Sequence, residues 1–188
     1  MVSRKYTGDY RLENVLDKNG VLRTVPVYRG PLFRFTAEPE ALRRVKGRTL
    51  LLTAAATAAL LLPLLSSAPL LRLWYAALPA ALCVLPDAEL WMGVRRLYTA
   101  GPTVTREHRD KIHDRFAGWS LAFAILAALS LLGQLAGYLG GCGPEGIPAT
   151  VGTLAALAAA AALFGTKKAL LMEQVPSERD IATEGSAE

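Results

Sequence analysis

Two groups of ionisable side chains stand where they could do chemistry. The first is Asp87 and Glu89, at the edge of an apolar stretch. Carboxylates at membrane depth are costly and are found paired or functional. Asp87 and Glu89 are therefore the candidate ion- or proton-coupling residues. The competing reading is solvation at headgroup level, with Arg95 and Arg96 one to two turns on as ion-pair partners. The second group is Glu107-His108-Arg109-Asp110-Lys111-Ile112-His113-Asp114, which contains both histidines of the chain. On a helix, residues five apart lie about 140° apart in azimuth, so His108 and His113 do not converge on a metal as an i, i+4 pair does. Asp110 and Asp114 are i, i+4 and could share a divalent cation, but such pairs are common on solvated helices. A solvated face with no metal is the expectation. The chain has no HExxH, no phosphate-binding Gly-Lys loop and no GxSxG. Neither a cofactor nor an enzymatic activity is suggested.

The elements that must position these residues are apolar. Phe116 to Pro144 holds no charged residue, and about 20 apolar residues of helix cross a bilayer. The 52% hydrophobic content is concentrated between about residues 49 and 166, with polar tails on either side. This predicts an all-α integral membrane protein with four transmembrane helices, at about 48–66, 70–94, 116–139 and 147–166, inside a membrane domain of residues 37–168. A helix begins near Glu38-Pro39 and leads through Arg43, Arg44, Lys46 and Arg48 into the first span. The second span is the least regular. Arg72 and Asp87 bracket only 14 uncharged residues, and Pro79 and Pro86 make a straight helix implausible. Either the helix runs on from 70 to 94 with Arg72 reaching the outer headgroups, or it stops near Pro86 and Asp87 caps a short interfacial helix to Tyr98. Arg106 onward is expected to run straight into the third span, helped by the i, i+4 pair Glu107–Lys111.

Small and polar residues inside the spans point to helix packing. Gly133, Gly137 and Gly141 recur every four residues, and Gly152, Ala156 and Ala160 repeat that spacing in the fourth span. Such faces let helix backbones approach closely in lipid. Gln134 is expected to hydrogen-bond across to another helix, while Thr53 and Thr57 bond to carbonyls of their own helix. With Cys83 inside a span and Cys142 in a loop, a disulfide is not expected.

Residues 1–9 read as disordered, and 1–36 as an N-terminal cytoplasmic segment. Tyr10–Leu16 and Val21–Tyr28 flank Asp17-Lys18-Asn19-Gly20, which signals a β-hairpin. Pro26 assigns its position to a sheet edge, and Leu32–Phe35 is a possible third strand. A lone hairpin is marginal in water, so it needs a partner surface. Residues 169–188 read as an acidic disordered tail.

Charge sets the orientation. Of 21 Lys and Arg, 11 lie at or before Arg48, 6 between Arg95 and Arg115, and 3 after the fourth span. Four crossings put all three groups on one side, the positive-inside pattern, with both termini cytoplasmic. The first apolar block lies too far in for a cleavable signal, and the alanine- and leucine-rich spans suit a bacterial inner (cell) membrane. The net charge of +5 therefore serves a membrane surface, not nucleic acid. The expected partners are the lipid bilayer and a second copy or another membrane protein. The leading functional expectation is a non-enzymatic partner-binding or scaffold subunit of a membrane complex. The alternative is a small oligomeric transporter coupled through Asp87 and Glu89.

Overall fold

The computed structural model describes residues 4–16, 22–65, 73–141 and 147–175. Within these, four helical runs are long and apolar enough to cross a membrane. The first is α1, Pro39–Leu65, in which the basic lead-in and the apolar span form one helix. The second is α2, Trp74–Leu82, followed across Cys83 by α3, Val84–Thr99. Pro86 has no N–H to give the Leu82 carbonyl, and the run breaks at Cys83. Of the two expected forms, the break before Pro86 is present, at Cys83, but the helix after it starts at Val84 rather than at Asp87 and continues to Thr99, beyond the other form's end at 94. The third run comprises α4, Arg106–Asp110, a π-helical turn over Lys111–Arg115, and α5, Phe116–Leu139. The fourth is α6, Ile147–Gly165, closed by a 3-10 turn over Thr166–Leu170. Each run packs beside its neighbours in chain order, and α6 returns against α1, so the bundle runs up-down-up-down.

The packing is inverted relative to a water-soluble bundle. The inner face of α5 carries Ala117, Ser120, Ala127, Ser130, Gly133 and Gly137 beside two large rings, Phe116 and Phe123. That of α6 carries Ala149, Gly152, Thr153, Ala156 and Ala160. Large apolar side chains point outward: Leu121, Ile125, Leu129, Leu132 and Leu135 of α5 are 46–62% exposed. Burying one such side chain is worth about 1.5–3 kcal/mol. With about half of each left exposed, five on one helix face forgo about 4–8 kcal/mol in water, comparable to the whole net stability of a marginal domain.

Two small sheets complete the structure, so it is mostly but not wholly helical. The expected hairpin forms: β1, Tyr10–Leu16, pairs antiparallel with β2, Leu22–Tyr28, with Leu12 opposite Pro26. The Asp17–Gly20 turn lies outside the described residues. The third strand, β3, Leu32–Phe35, does not join the hairpin. It is the centre of a separate sheet, flanked by β4, Thr103–Thr105, and β5, Met172–Gln174. Phe33 and Phe35 alternate inward and pack with Val104 against Leu97, Ile112 and Leu170. The chain expected to leave order at 169 is thus held to Val175, whose N–H reaches the Leu32 carbonyl at 2.9 Å. Residues 176–188 and Arg72 lie outside the described residues. The segments before α1, between α3 and α5, and after α6 all meet in this sheet, at one end of the bundle.

Of the glycines expected on one packing face, Gly133, Gly137 and Gly152 are buried. A Cβ at Gly133 would stand 2.9 Å from the Ala76 Cα and 3.0 Å from the Tyr75 carbonyl of α2. Gly141 does not belong to that face, because α5 ends at Leu139. Gly141 is exposed and holds φ +91°, a left-handed terminus that favours glycine. Gly133→Leu should destabilise the bundle by about 1–3 kcal/mol, the usual cost of overpacking. Gly118→Ala, where open space surrounds the added Cβ, should leave stability unchanged or raise it. Thermal unfolding in detergent measures both.

Candidate functional site

Asp87 sits in the first turn of α3, started by the break at Cys83, with its N–H on the Cys83 carbonyl at 3.1 Å. It is only 8% exposed and faces α1. Thr57 Oγ1 lies 2.9 Å from Asp87 Oδ1 and 3.1 Å from Oδ2. The same oxygen is 3.0 Å from the Thr53 carbonyl and accepts the Trp91 indole N–H at 2.9 Å. A hydroxyl has one proton and two lone pairs. Thr57 therefore donates either to Asp87 or to Thr53, not to both. A charged Asp87 accepts a hydrogen bond from the Thr57 hydroxyl. A protonated Asp87 donates one to Thr57 Oγ1, whose O–H then turns to the Thr53 carbonyl. Both arrangements satisfy Thr57 and leave Trp91 undisturbed, with no heavy atom displaced.

The structure does not pair Asp87 with Arg95 or Arg96. Eight residues of helix separate Asp87 from Arg95, about 12 Å of rise, and among the described residues Asp87 has no cationic partner. Glu89, half-buried, lies two residues on and about 200° around the helix from Asp87. The two carboxylates do not converge.

A second polar cluster crosses the bundle nearer its other end. Gln134 Nε2 donates to Ser130 Oγ at 3.2 Å and, across to α6, to Thr153 Oγ1 at 2.8 Å. Ser130 passes its proton to the Ala76 carbonyl of α2, and Thr153 to the Ala149 carbonyl, each at 2.9 Å. The cross-helix bond expected of Gln134 is present, Thr53 makes the expected bond to its own helix, and Thr57 has that bond in competition with Asp87.

The 107–114 cluster is not a uniformly solvated face. The π turn seats both Asp110 and Ile112 inward. Asp110 accepts from Tyr6 Oη at 2.8 Å, Lys5 Nζ at 3.0 Å and Arg109 Nε at 3.2 Å. Tyr6 is buried in a 3-10 turn over Arg4–Asp9, a segment the sequence marks as disordered. Arg109 also lies 4.5 Å over the Phe33 ring. The hairpin foot is tied to the same helix. Tyr28 Oη donates to the Pro31 carbonyl at 2.8 Å and accepts the Arg106 N–H at 3.1 Å. That N–H is one of the unpaired donors at the start of α4, and Thr105 Oγ1 takes another, from His108. The expected Lys111–Glu107 pair forms. Asp114 is exposed and binds His113 Nδ1 at 2.9 Å, so Asp110 and Asp114 share nothing. Among the described residues, no group of three His, Cys, Asp or Glu is placed to hold a metal ion. A shallow pocket of about 230 Å³ opens between Arg109, His113, Asp114, Leu171 and Met172. Sequence reasoning missed the Asp110–Tyr6–Lys5 clamp, whose partners lie more than 100 positions apart. The one local signal was an aromatic residue in an otherwise polar N-terminus.

No family model, curated protein or solved structure matches this chain. Its function must be argued from its own geometry.

Burial alone would push the Asp110 carboxyl up, but the hydrogen bonds from Lys5 and Tyr6 and the nearby Lys5 and Arg109 charges outweigh it and hold it below the usual carboxylate range. Asp110 bonding and charge raise Lys5, and burial followed by the Asp110 bond raises Tyr6. The folded state thus binds the Asp110 proton more weakly than the unfolded chain. Asp110 stabilises the docked N-terminus above the ordinary carboxylate pKa of about 4, and that contribution is lost as pH falls through the lowered folded value. The raised Lys5 matters only above about pH 10. Protection of the Tyr6–Leu16 amides, measured against their intrinsic exchange rates at each pH, should therefore be high at pH 7 and fall below about pH 4. In Asp110→Asn exchange should already be faster at pH 7, by about tenfold to a hundredfold, as expected for losing a charged hydrogen bond of about 1.5–3 kcal/mol.

Proposed function

We propose that this is an integral membrane protein with four spans that serves as a non-enzymatic, partner-binding or scaffold subunit of a membrane complex. The membrane reading is supported by the outward leucines and by the convergence of the three basic segments on one sheet. Helices joined in this way cross an even number of times, and the positive-inside rule assigns the sheet end, with both termini, to the cytosol of a bacterial inner membrane.

The observation that carries the partner-binding reading is the hairpin. Tyr28, Tyr6 and Lys5 fasten its foot to the third helical run, yet among the described residues its strands contribute no side chain to either core cluster. Opposed residues of an antiparallel pair share a face. One face therefore carries Leu12, Leu22 and Pro26, all exposed, the leucines at 75% and 66%. A two-stranded hairpin is marginal alone, so anchoring it with apolar side chains outward suits a surface that something else completes.

A second reading has its own observation. On the membrane reading, Asp87 and Thr57 lie about 12–14 Å of helical rise beyond Arg95 and Arg48, near the middle of a hydrocarbon layer about 30 Å thick. A carboxylate there, with a hydroxyl that can turn either way, suits proton coupling in a small transporter. Glu89 then plays a separate role.

One experiment separates the two. A photo-crosslinking amino acid at Leu12 or Leu22 should capture a discrete species in native membranes, and Asp87→Asn should not alter that capture. Absence of any captured species, together with proton-linked flux abolished by Asp87→Asn, would replace the first reading with the second.

A further inference from the structure

We infer that the completing partner is a second copy of this chain, its β1 paired antiparallel with β1 across a two-fold axis at Leu12. This rests on reading the hairpin as a docking module. The β1–β2 sheet has two strands and hence two open edges. Pro26 stands in the middle of β2 and has no N–H to offer an added strand. Tyr10–Leu16 contains no proline, so every residue of β1 carries a backbone donor and an acceptor. Strand addition therefore falls to the β1 edge.

Around Leu12, the more exposed of the two leucines on the apolar face, charge favours one register over its two neighbours. A two-fold axis through an antiparallel pair is perpendicular to the sheet, so only residues on the same face can stand opposite each other. Centring on Arg11 sets arginine against arginine. Centring on Glu13 sets glutamate against glutamate. Centring on Leu12 sets Arg11 opposite Glu13 of the second copy, and Glu13 opposite Arg11 of the second copy. It also sets Leu12 against itself, so the cross-strand pair Leu12–Pro26 continues as an apolar row across a four-stranded sheet. Glu13 is suited to a second arginine: Arg29 Nε and Nη2 both bind its Oε1, at 2.9 Å and 2.7 Å, leaving Oε2 uncommitted among the described residues. Copies inserted the same way in one bilayer need the axis along the membrane normal, so the joined hairpins lie parallel to the membrane surface.

The test uses the full chain in native membranes with Cys83→Ala and Cys142→Ser. Leu12→Cys should form a covalent dimer under mild oxidation, at least tenfold faster than Thr24→Cys on β2. Adding Arg11→Glu or Glu13→Arg should slow it at least tenfold, and combining both should restore it. Equal rates at positions 12 and 24, or no recovery in the combined variant, would overturn the pairing. Photo-capture of a different protein at Leu12 would overturn this inference while keeping the docking reading. No capture of any chain would overturn both.

Discussion

The strand β3 imposes the constraint on which the rest depends. Its four residues pair on one side with the link between α3 and α4 and on the other with the chain after α6. Three segments far apart in sequence are thereby required to end at the same place. The helices between them must go out and come back in pairs. Phe33 and Phe35 add an apolar contact with Leu97, Ile112 and Leu170, which seals that end of the bundle. The basic residues gathered there follow from the same closure.

Within the bundle, small residues and hydrogen bonds take the place of a large apolar interior. Gly133 lets the α5 backbone approach that of α2 at Ala76, and Gly93 makes room on α3 for the Phe116 ring. Helix association without a hydrophobic driving force depends on such contacts and on polar bonds between helices. The Gln134 cluster joins α2, α5 and α6, and the Asp87 cluster joins α1 to α3. The two differ in kind. The Gln134 amide donates to two hydroxyls that each pass their proton to a carbonyl, whereas Thr57 has two acceptors for one proton.

What could be read from the sequence was whatever a local signal carries. Long charge-free blocks locate the helical runs, the alternation around Asn19-Gly20 locates the hairpin, and a lone glutamine inside an apolar block implies a partner on another helix. What could not be read lies in long-range pairing and local irregularity. Leu32–Phe35 looks equally like a third hairpin strand, and nothing near it names Thr103–Thr105 or Met172–Gln174 as partners. The π turn at Lys111–Arg115 has no sequence signature, yet it seats Asp110 inward where Tyr6 reaches it. The spacing of Gly141 from Gly137 fits a helix face, but the helix ends two residues before it. The extent of helix beyond Asp87 is not legible either: α3 continues to Thr99, five residues past the expected end at 94.

One end of the bundle gathers three segments, which the proposed topology puts on a single side of a membrane. Single cysteines at Gly101 and Lys168, at the sheet end, and at Gly140, at the opposite end, in a background free of other cysteines, test it most directly. With a membrane-impermeant maleimide applied to intact cells, Gly140→Cys should label at once, while Gly101→Cys and Lys168→Cys should label only after lysis. Labelling of either sheet-end cysteine in intact cells would contradict the account.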